Sequence, residues 1–331
     1  MDDIFRNIDN MIIYLYNLPV ITKIFITGLI FVFLFFILKN KESPYSYYSF
    51  ENYDNLNETN ELDLKKKFIS KIDDDVYDNF YAKYYDRIHF DRKKNEFEIE
   101  NLLKIIENKE DTKILDVGCG TGNHVYSFDS REFDIIGLDK SKAMIIKAEE
   151  KFPKCNFIQG DILNNELFDF GSFSHILCLN MTIYQIVNKD KFFENCYTLL
   201  SNEGMLIVHL VEREKFEPYV SKDNKTVLYD PNNYYKTNLK QEIVKFDENN
   251  EYISKYYLLN NNNDNNKPYS MYKETFKNFN TNKVRDNEIN LFIPKLEEVI
   301  KIAKRNNFKY SKRINMESIN YNNQYLYVFT K

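Results

Sequence analysis

Residues Lys113–Phe128 read KILDVGCGTGNHVYSF. A short apolar run, Ile114, Leu115 and Val117 around Asp116, meets Gly118, Gly120 and Gly122 at every second position. Such a run reads as a strand buried in a parallel sheet, and the glycines as the turn into a following helix. A backbone without Cβ adopts φ > 0 there and lets a ligand lie against the main chain. The helix start beyond is expected to offer unpaired N–H groups to electronegative ligand atoms. The chain holds 8 glycines, and 7 of them fall from Gly118 to Gly204. In so glycine-poor a sequence, those that remain serve the backbone.

Outward from this stretch the pattern alternates. Strands are expected at Lys113–Val117, Asp134–Leu138, Asn156–Ile158, Phe173–Leu179 and Met205–Leu210. Helices are expected between them, at Gly122–Ser127, Lys142–Lys151 and Asp190–Leu200. That order means βαβ units, a parallel sheet and right-handed crossovers. Beyond Val211 the texture shifts to short β-prone runs separated by Asn-rich turns: Thr226–Tyr229, Tyr234–Leu239, Glu242–Phe246, Tyr252–Leu259 and Tyr272–Phe279. Pro294–Asn306 returns to helix, and Phe308–Ile314 with Gln324–Thr330 forms a closing strand pair. Upstream, Tyr77, Tyr81, Tyr84 and Tyr85 recur at helical spacing, and a second helix is expected near Lys93–Asn108.

The N-terminus differs again. Leu18–Leu38 is 21 residues with one charge, Lys23, and at 1.5 Å per residue it reaches roughly 30 Å, the thickness of a bilayer core. It is expected to be a transmembrane helix. Lys39 and Lys41 follow the span and an acidic flank precedes it, so the positive-inside rule puts the C-terminal bulk in the cytoplasm. The expected division is an N-terminal segment (1–40, spanning helix about 18–38), a tether (41–70), a helical lead-in (71–110) and an α/β domain (111–331). A β-rich insertion occupies about 212–290 of that domain.

Composition narrows the function. The formal net charge is −5, which gives no general electrostatic reason to bind nucleic acid. The four cysteines, Cys119, Cys155, Cys178 and Cys196, are widely spaced and read as reduced thiols. The histidines lack ligand spacing, so no metal is expected. Oligomeric state leaves no mark in the sequence.

Three acids fall at the ends of successive strands: Asp116, Asp139 in IIGLD and Asp161 in FIQGD. In a parallel sheet those positions line the ligand crevice at the carboxyl edge. Asp139 lies 21 residues after Gly118, placed to accept hydrogen bonds from ribose hydroxyls. A nicotinamide dinucleotide would call for G-x-G-x-x-G; the residue at its third glycine position is Asn123. The motifs LDVGCGTG, GLDKS, QGDI, LCLNMTIYQI and LLSNEGMLIVHLV together resemble the class I S-adenosylmethionine-dependent methyltransferases with a Rossmann-like fold. The resemblance covers Asp111–Val211. It implies a seven-stranded, mostly parallel sheet with an antiparallel last strand, and S-adenosylmethionine as methyl donor.

By the same resemblance, Gly118, Cys119, Gly120 and Gly122 lie against the methionine part, with Asp116 nearby. Asp139 and its neighbour Lys140 fall at the ribose, and Asp161 and Ile162 at adenine. His124 brushes the donor, Asn180 contacts donor or acceptor, and Tyr85, with Tyr84, closes over it. Tyr184 is the candidate substrate contact and His209 the candidate base, each weighed against a packing role. Arg213 and Arg285 are candidates for an acidic substrate group. The expected activity is methyl transfer to a small molecule by a membrane-anchored enzyme. The alternatives are a protein or nucleic-acid methyltransferase, or an inactive donor-binding protein at a membrane.

Overall fold

The chain divides into two compact units, Met1–Asp63 and Leu64–Lys331. The computed structural model describes residues 68–106, 112–164, 166–215, 248–259 and 267–331, together with Pro19 and the backbone of 227–228 and 239–245. The expected spanning helix at 18–38 and most of the tether at 41–70 lie outside the described residues, apart from Pro19. Among the described residues no helix is long and apolar enough to cross a membrane.

The described chain begins with strand β1 (Phe68–Ile72), where the sequence led us to expect the end of a tether and a purely helical lead-in. Helix α1 (Asn79–His89) follows, its first turn capped by Asp78, whose Oδ1 accepts the Tyr81 N–H at 3.1 Å. Tyr81, Ala82, Tyr84 and Ile88 form its buried face, the stripe that helical spacing indicates. Helix α2 (Arg92–Leu103) is capped by Asp91 in the same way.

Then come β2 (Lys113–Val117), α3 (Asn123–Asp129), β3 (Asp134–Asp139), α4 (Lys142–Lys151), β4 (Asn156–Gln159), β5 (Phe173–Cys178), α5 (Lys189–Leu199) and β6 (Leu200–Val211). The remaining elements are β7 (Val227–Leu228), β8 (Leu239–Lys245), β9 (Asn250–Leu258), β10 (Ser270–Asn278), β11 (Lys283–Leu291), α6 (Leu296–Arg305), β12 (Lys309–Asn315) and β13 (Gln324–Thr330).

Seven strands form the central sheet in the order β12-β13-β6-β5-β2-β3-β4. The pairs among β2–β6 are parallel, whereas β13 runs antiparallel to both β6 and β12. Ile114, Leu115, Ile176, Leu177, Leu206, Ile207, Val208, Val328 and Phe329 are fully enclosed in it. Each such side chain contributes about 1.5–3 kcal/mol by leaving water. This is the Rossmann-like arrangement that the apolar runs imply.

The β-rich segment builds a second, six-stranded sheet, β1-β11-β10-β9-β8-β7. Its inner face alternates Ser270, Tyr272, Glu274 and Phe276 along β10 and packs on α1, with Phe276 edge-on to Phe80 at 5.2 Å between ring centres. β1 joins parallel to β11, Phe68 opposite Val284.

Arg285 ties these parts together. Its guanidinium donates to both Asp78 oxygens at 2.8 Å and to the Val76 carbonyl at 2.9 Å, and lies 4.7 Å from the Phe80 ring centre. Arg285 therefore pins the cap of α1 to the second sheet, and it lines neither of the two chambers described below. Arg213 is also buried, paired with Glu214 and lying over the Tyr269 ring. Replacing Arg285 with Ala removes the guanidinium partner of Asp78 and one of two donors to the Val76 carbonyl, and urea unfolding is expected to show a loss of about 1.5–3 kcal/mol, the range for hydrogen bonds to a charged group.

Candidate active site

The site is built where β2 ends. Gly118, Gly120 and Gly122 have φ of +71°, +55° and +83°, the left-handed region that side chains avoid. At Gly118 the reason is also spatial, since a Cβ would stand 2.4 Å from Thr182 Cγ2. At Gly122 it would stand 2.6 Å from Phe157 Cζ, so this glycine serves packing against β4 and lines neither chamber described below. The N–H groups of Gly118 and Cys119 donate to the Leu138 carbonyl, and that of Gly122 to Cys119. The Gly120 N–H donates to Asp139 Oδ2 at 2.9 Å, while Asp139 Oδ1 accepts the Ser141 N–H at 2.8 Å. The N–H groups of Gly118, Cys119, Gly120 and Gly122 are thus all bonded within the protein.

A chamber of about 590 Å³ opens along the carboxyl edge, lined by Gly118, Gly120, Asp139, Lys140, Asp161, Ile162 and Asn180, with Tyr85 at its boundary. Burial raises the pKa of Asp139, opposed by the N–H groups of Ser141 and Gly120. Asp161 Oδ1 accepts the Leu163 N–H at 2.9 Å. Lys140 turns to the rim, paired with Asp74 and 3.7 Å from Asp161.

A second, smaller chamber of about 170 Å³ adjoins it, and Tyr77, Tyr85, Gly118, Gly120, Asn180, Gln185 and Ile289 line both. Asp116, Cys119, His124 and His209 belong to this chamber instead of the larger one. Its floor is ionic. Fully buried Glu98 meets Lys94 Nζ at 2.8 Å and His124 Nε2 at 2.9 Å. Burial opposes its charge, but Lys94 and His124 outweigh that and hold the carboxyl down at about 2. Lys94 also donates to Asn180 Oδ1, a residue with φ +49°. Burial pushes Asp116 up to about 6, partly offset by His124, and its Oδ2 has no partner. Cys119 is a buried thiol whose pKa burial raises.

Two candidate roles change. Tyr184 is fully buried and its hydroxyl accepts the Val211 N–H at 2.8 Å. It anchors the end of β6, touches neither chamber and is not a substrate contact. His209 does reach the small chamber, with Nε2 bonded to Gln324 Oε1 at 3.0 Å; burial and Lys94 depress its pKa to about 3. His124 pairs with Glu98 rather than lying along the larger chamber. Tyr84 packs inside α1's core face, its ring tilted against that of Phe80 at 5.0 Å between centres; of the two tyrosines it is Tyr85 that faces the glycine turn, its Cε1 3.5 Å from where a Gly120 Cβ would stand.

The sequence reading missed His89, Lys94, Glu98, Tyr272, Gln185 and Gln324, all of which line the small chamber. The only available signal was the four-residue spacing of Lys94 and Glu98 on α2. A solvent-facing helix pair has the same spacing.

With this geometry established, comparisons with known proteins agree. The family described as "Methyltransferase domain" matches residues 108–275. The ubiquinone/menaquinone biosynthesis C-methyltransferase UbiE of Campylobacter jejuni is 30% identical over 115 residues, 32% of this chain and 48% of that protein. Trans-aconitate 2-methyltransferase of Escherichia coli is 28% identical over 126 residues, 37% of this chain and 48% of that protein. The chain thus spans about half the length of the curated relatives it matches. Among solved structures, an S-adenosylmethionine-dependent methyltransferase from Clostridium acetobutylicum has a TM-score of 0.56 at 20% identity, covering 76% of this chain and 98% of that one. That likeness is one of fold.

Asp116 gives this site a pH signature. Its folded pKa near 6 exceeds the ordinary 3.8, so between those values the folded chain holds a proton that the unfolded chain has lost. Stability contributed by this group therefore falls as pH rises from about 4 to about 6, by on the order of 3 kcal/mol. Urea unfolding of ligand-free protein is expected to show Asp116→Asn gaining on wild type across that window.

Proposed function

The chain belongs to the methyltransferase-domain family, and we propose on that footing that it carries the methyl group of S-adenosylmethionine to a small molecule seated in the smaller chamber. The enzyme is an S-adenosylmethionine-dependent methyltransferase; the acceptor class and the residue roles are our reading. One observation carries it. The two chambers share a wall at Tyr85, Gly118, Gly120 and Asn180, so ligands in each would meet beside the glycine turn.

The residues present suit the donor. Asp139 keeps lone pairs beyond its two N–H bonds for ribose hydroxyls, and Asp161 with Ile162 offers a carboxylate and an apolar side chain to adenine. The glycine turn brings bare backbone against the methionine part. The unpartnered Asp116 Oδ2, on the smaller chamber's side of the shared glycine turn, suits an ammonium group of the donor extended past Gly118, whose charge would favour the ionised carboxylate. When bound, the donor supplies a methyl group already activated on a sulfonium. The protein's task is then alignment, exclusion of water and control of charge.

The smaller chamber's size and its Tyr81, Tyr272 and Tyr321 walls favour a compact acceptor over a polymer laid in a groove. The relatives' names, which concern quinone biosynthesis and trans-aconitate, support a small molecule as well. For the N-terminal part we propose a membrane anchor at 18–38 and a tether that ends before β1, with the catalytic part of the chain in the cytoplasm. The apolar length of Leu18–Leu38 and the flanking Lys39 and Lys41 support this arrangement.

Asp139→Ala is expected to cost about 1.5–3 kcal/mol of donor affinity, the range for hydrogen bonds to a charged group. Calorimetry with S-adenosylmethionine measures it directly, and unchanged affinity would remove Asp139 from the donor site. Carbonate-washed membranes are expected to retain the full chain and to release a chain starting near Glu42; recovery of both in the soluble fraction defeats the anchor.

A further inference from the structure

Outside the ionic floor, the small chamber has a second titratable cluster, on its opposite wall, where α1 meets the second sheet. His89 is the last residue of α1, lines the chamber and keeps 24% of its side chain exposed. Its Nε2 lies 2.8 Å from the Tyr81 hydroxyl and 3.4 Å from Glu274 Oε1. Glu274, on the inner face of β10, is completely buried. It accepts the Tyr252 hydroxyl at 2.6 Å and the Asn287 amide at 3.3 Å. The His89 ring centre is 4.8 Å from that of Tyr85, the residue over Gly120.

We propose that His89 is the general base of the methyl transfer and that Glu274 is its positioning residue. The inference rests on the acceptor-chamber reading above. Both described polar contacts of His89 fall on Nε2; the Glu274 carboxylate there can only accept, so we assign the proton to Nε2 and the lone pair to Nδ1. A histidine held this way, by a carboxylate behind the ring, is fixed in one tautomer and orientation. As the acceptor's heteroatom forms its bond to the methyl carbon, the sulfur–methyl bond breaks with its electron pair left on sulfur. The proton released by that heteroatom passes to His89 Nδ1, and from there to solvent through the exposed side of the ring.

Glu274 is equipped to balance the imidazolium. Burial works against its charge, but the His89, Tyr252 and Tyr81 contacts outweigh burial and lower its pKa. The carboxyl end of α1 adds to the stabilisation, since a cation is favoured at a helix C-terminus. The groups facing His89 are Tyr81 and Tyr85 from its own helix and Glu274 and Tyr272 from the second sheet. His209 is a poorer base: its pKa is depressed to about 3 and its Nδ1 is buried. The second sheet thereby becomes part of the catalytic apparatus instead of only a cover.

The test has two arms. The chain has 4 histidines, so nitrogen-15 histidine spectra, assigned by His89→Gln and recorded at alkaline pH where imidazoles are neutral, resolve the His89 tautomer without any acceptor. The expected result is Nε2–H in wild type and a tautomer mixture in Glu274→Gln; Nδ1–H in wild type overturns the proposal. In the second arm, tritiated S-adenosylmethionine is mixed with a deproteinised cell extract. Transfer is expected to drop about 100-fold or more in His89→Gln, as for loss of a general base, and less in Glu274→Gln, with donor affinity by calorimetry within twofold of wild type. Undiminished transfer by His89→Gln overturns the base assignment and leaves the methyltransferase reading standing. Failure of wild type to bind the donor would instead overturn the reading of the larger chamber.

Discussion

Asp139 holds the site in shape. Its carboxylate, at the end of β3, accepts the N–H of Gly120 from the turn after β2 and the N–H of Ser141 from its own loop. The ends of two neighbouring strands are therefore fixed to each other by charge-assisted hydrogen bonds, among the stronger polar contacts a protein makes. The same carboxylate faces the larger chamber. Building the turn and offering an anion to a ligand are one arrangement, because a carboxylate has more lone pairs than two N–H groups use.

Around that turn the protein sets two layers of different origin. The central sheet supplies the strand-end acids. Helix α1 and the second sheet supply the aromatic wall, with Tyr85 over Gly120 and Tyr272 facing His89. Arg285 clamps the start of α1 to β11, and Asp73 accepts the Asn290 N–H at 2.8 Å just before it. The rim residues thus share a rigid support, as a site that must align two reacting atoms requires. The ionic floor of Lys94, Glu98 and His124 adds a desolvated network in which the buried carboxylate lies against both basic side chains, and pairing is the condition under which buried charge is tolerated.

The central sheet was legible in the sequence because strands buried on both faces are written as continuous apolar runs, such as KILDV and IIGLD. Asp139 and Asp161 followed from strand ends, Gly118 and Gly120 from the turn after β2, and Ile162 from the family resemblance alone; all line the larger chamber. The second sheet was read only in part. Lys283–Leu291 hides Arg285 and Asn287 on its buried face, so its alternation looks solvent-exposed, and the five residues of β1 carry too short a pattern to recognise. Tyr184 misled because a tyrosine near Asn180 suggests a ligand contact, whereas its hydroxyl satisfies a backbone N–H 27 residues further along the chain, at Val211. His124 follows the glycines closely in sequence, yet its ring turns to Glu98 on a different helix.

The pairing of β1 with β11 has a consequence for how the molecule assembles. The Arg285–Asp78 contact closes a loop of 207 residues, and contacts of such sequence separation form late because the ends must first find each other. A chain emerging from the ribosome at about 5–20 residues per second would have released β2 to β6 well before β11 exists to receive β1. The donor-side sheet edge is therefore free to organise while its aromatic roof is still unmade. A nascent chain in that interval would carry the strand-end carboxylates but only part of the smaller chamber's wall, which closes with the arrival of the last third of the polypeptide.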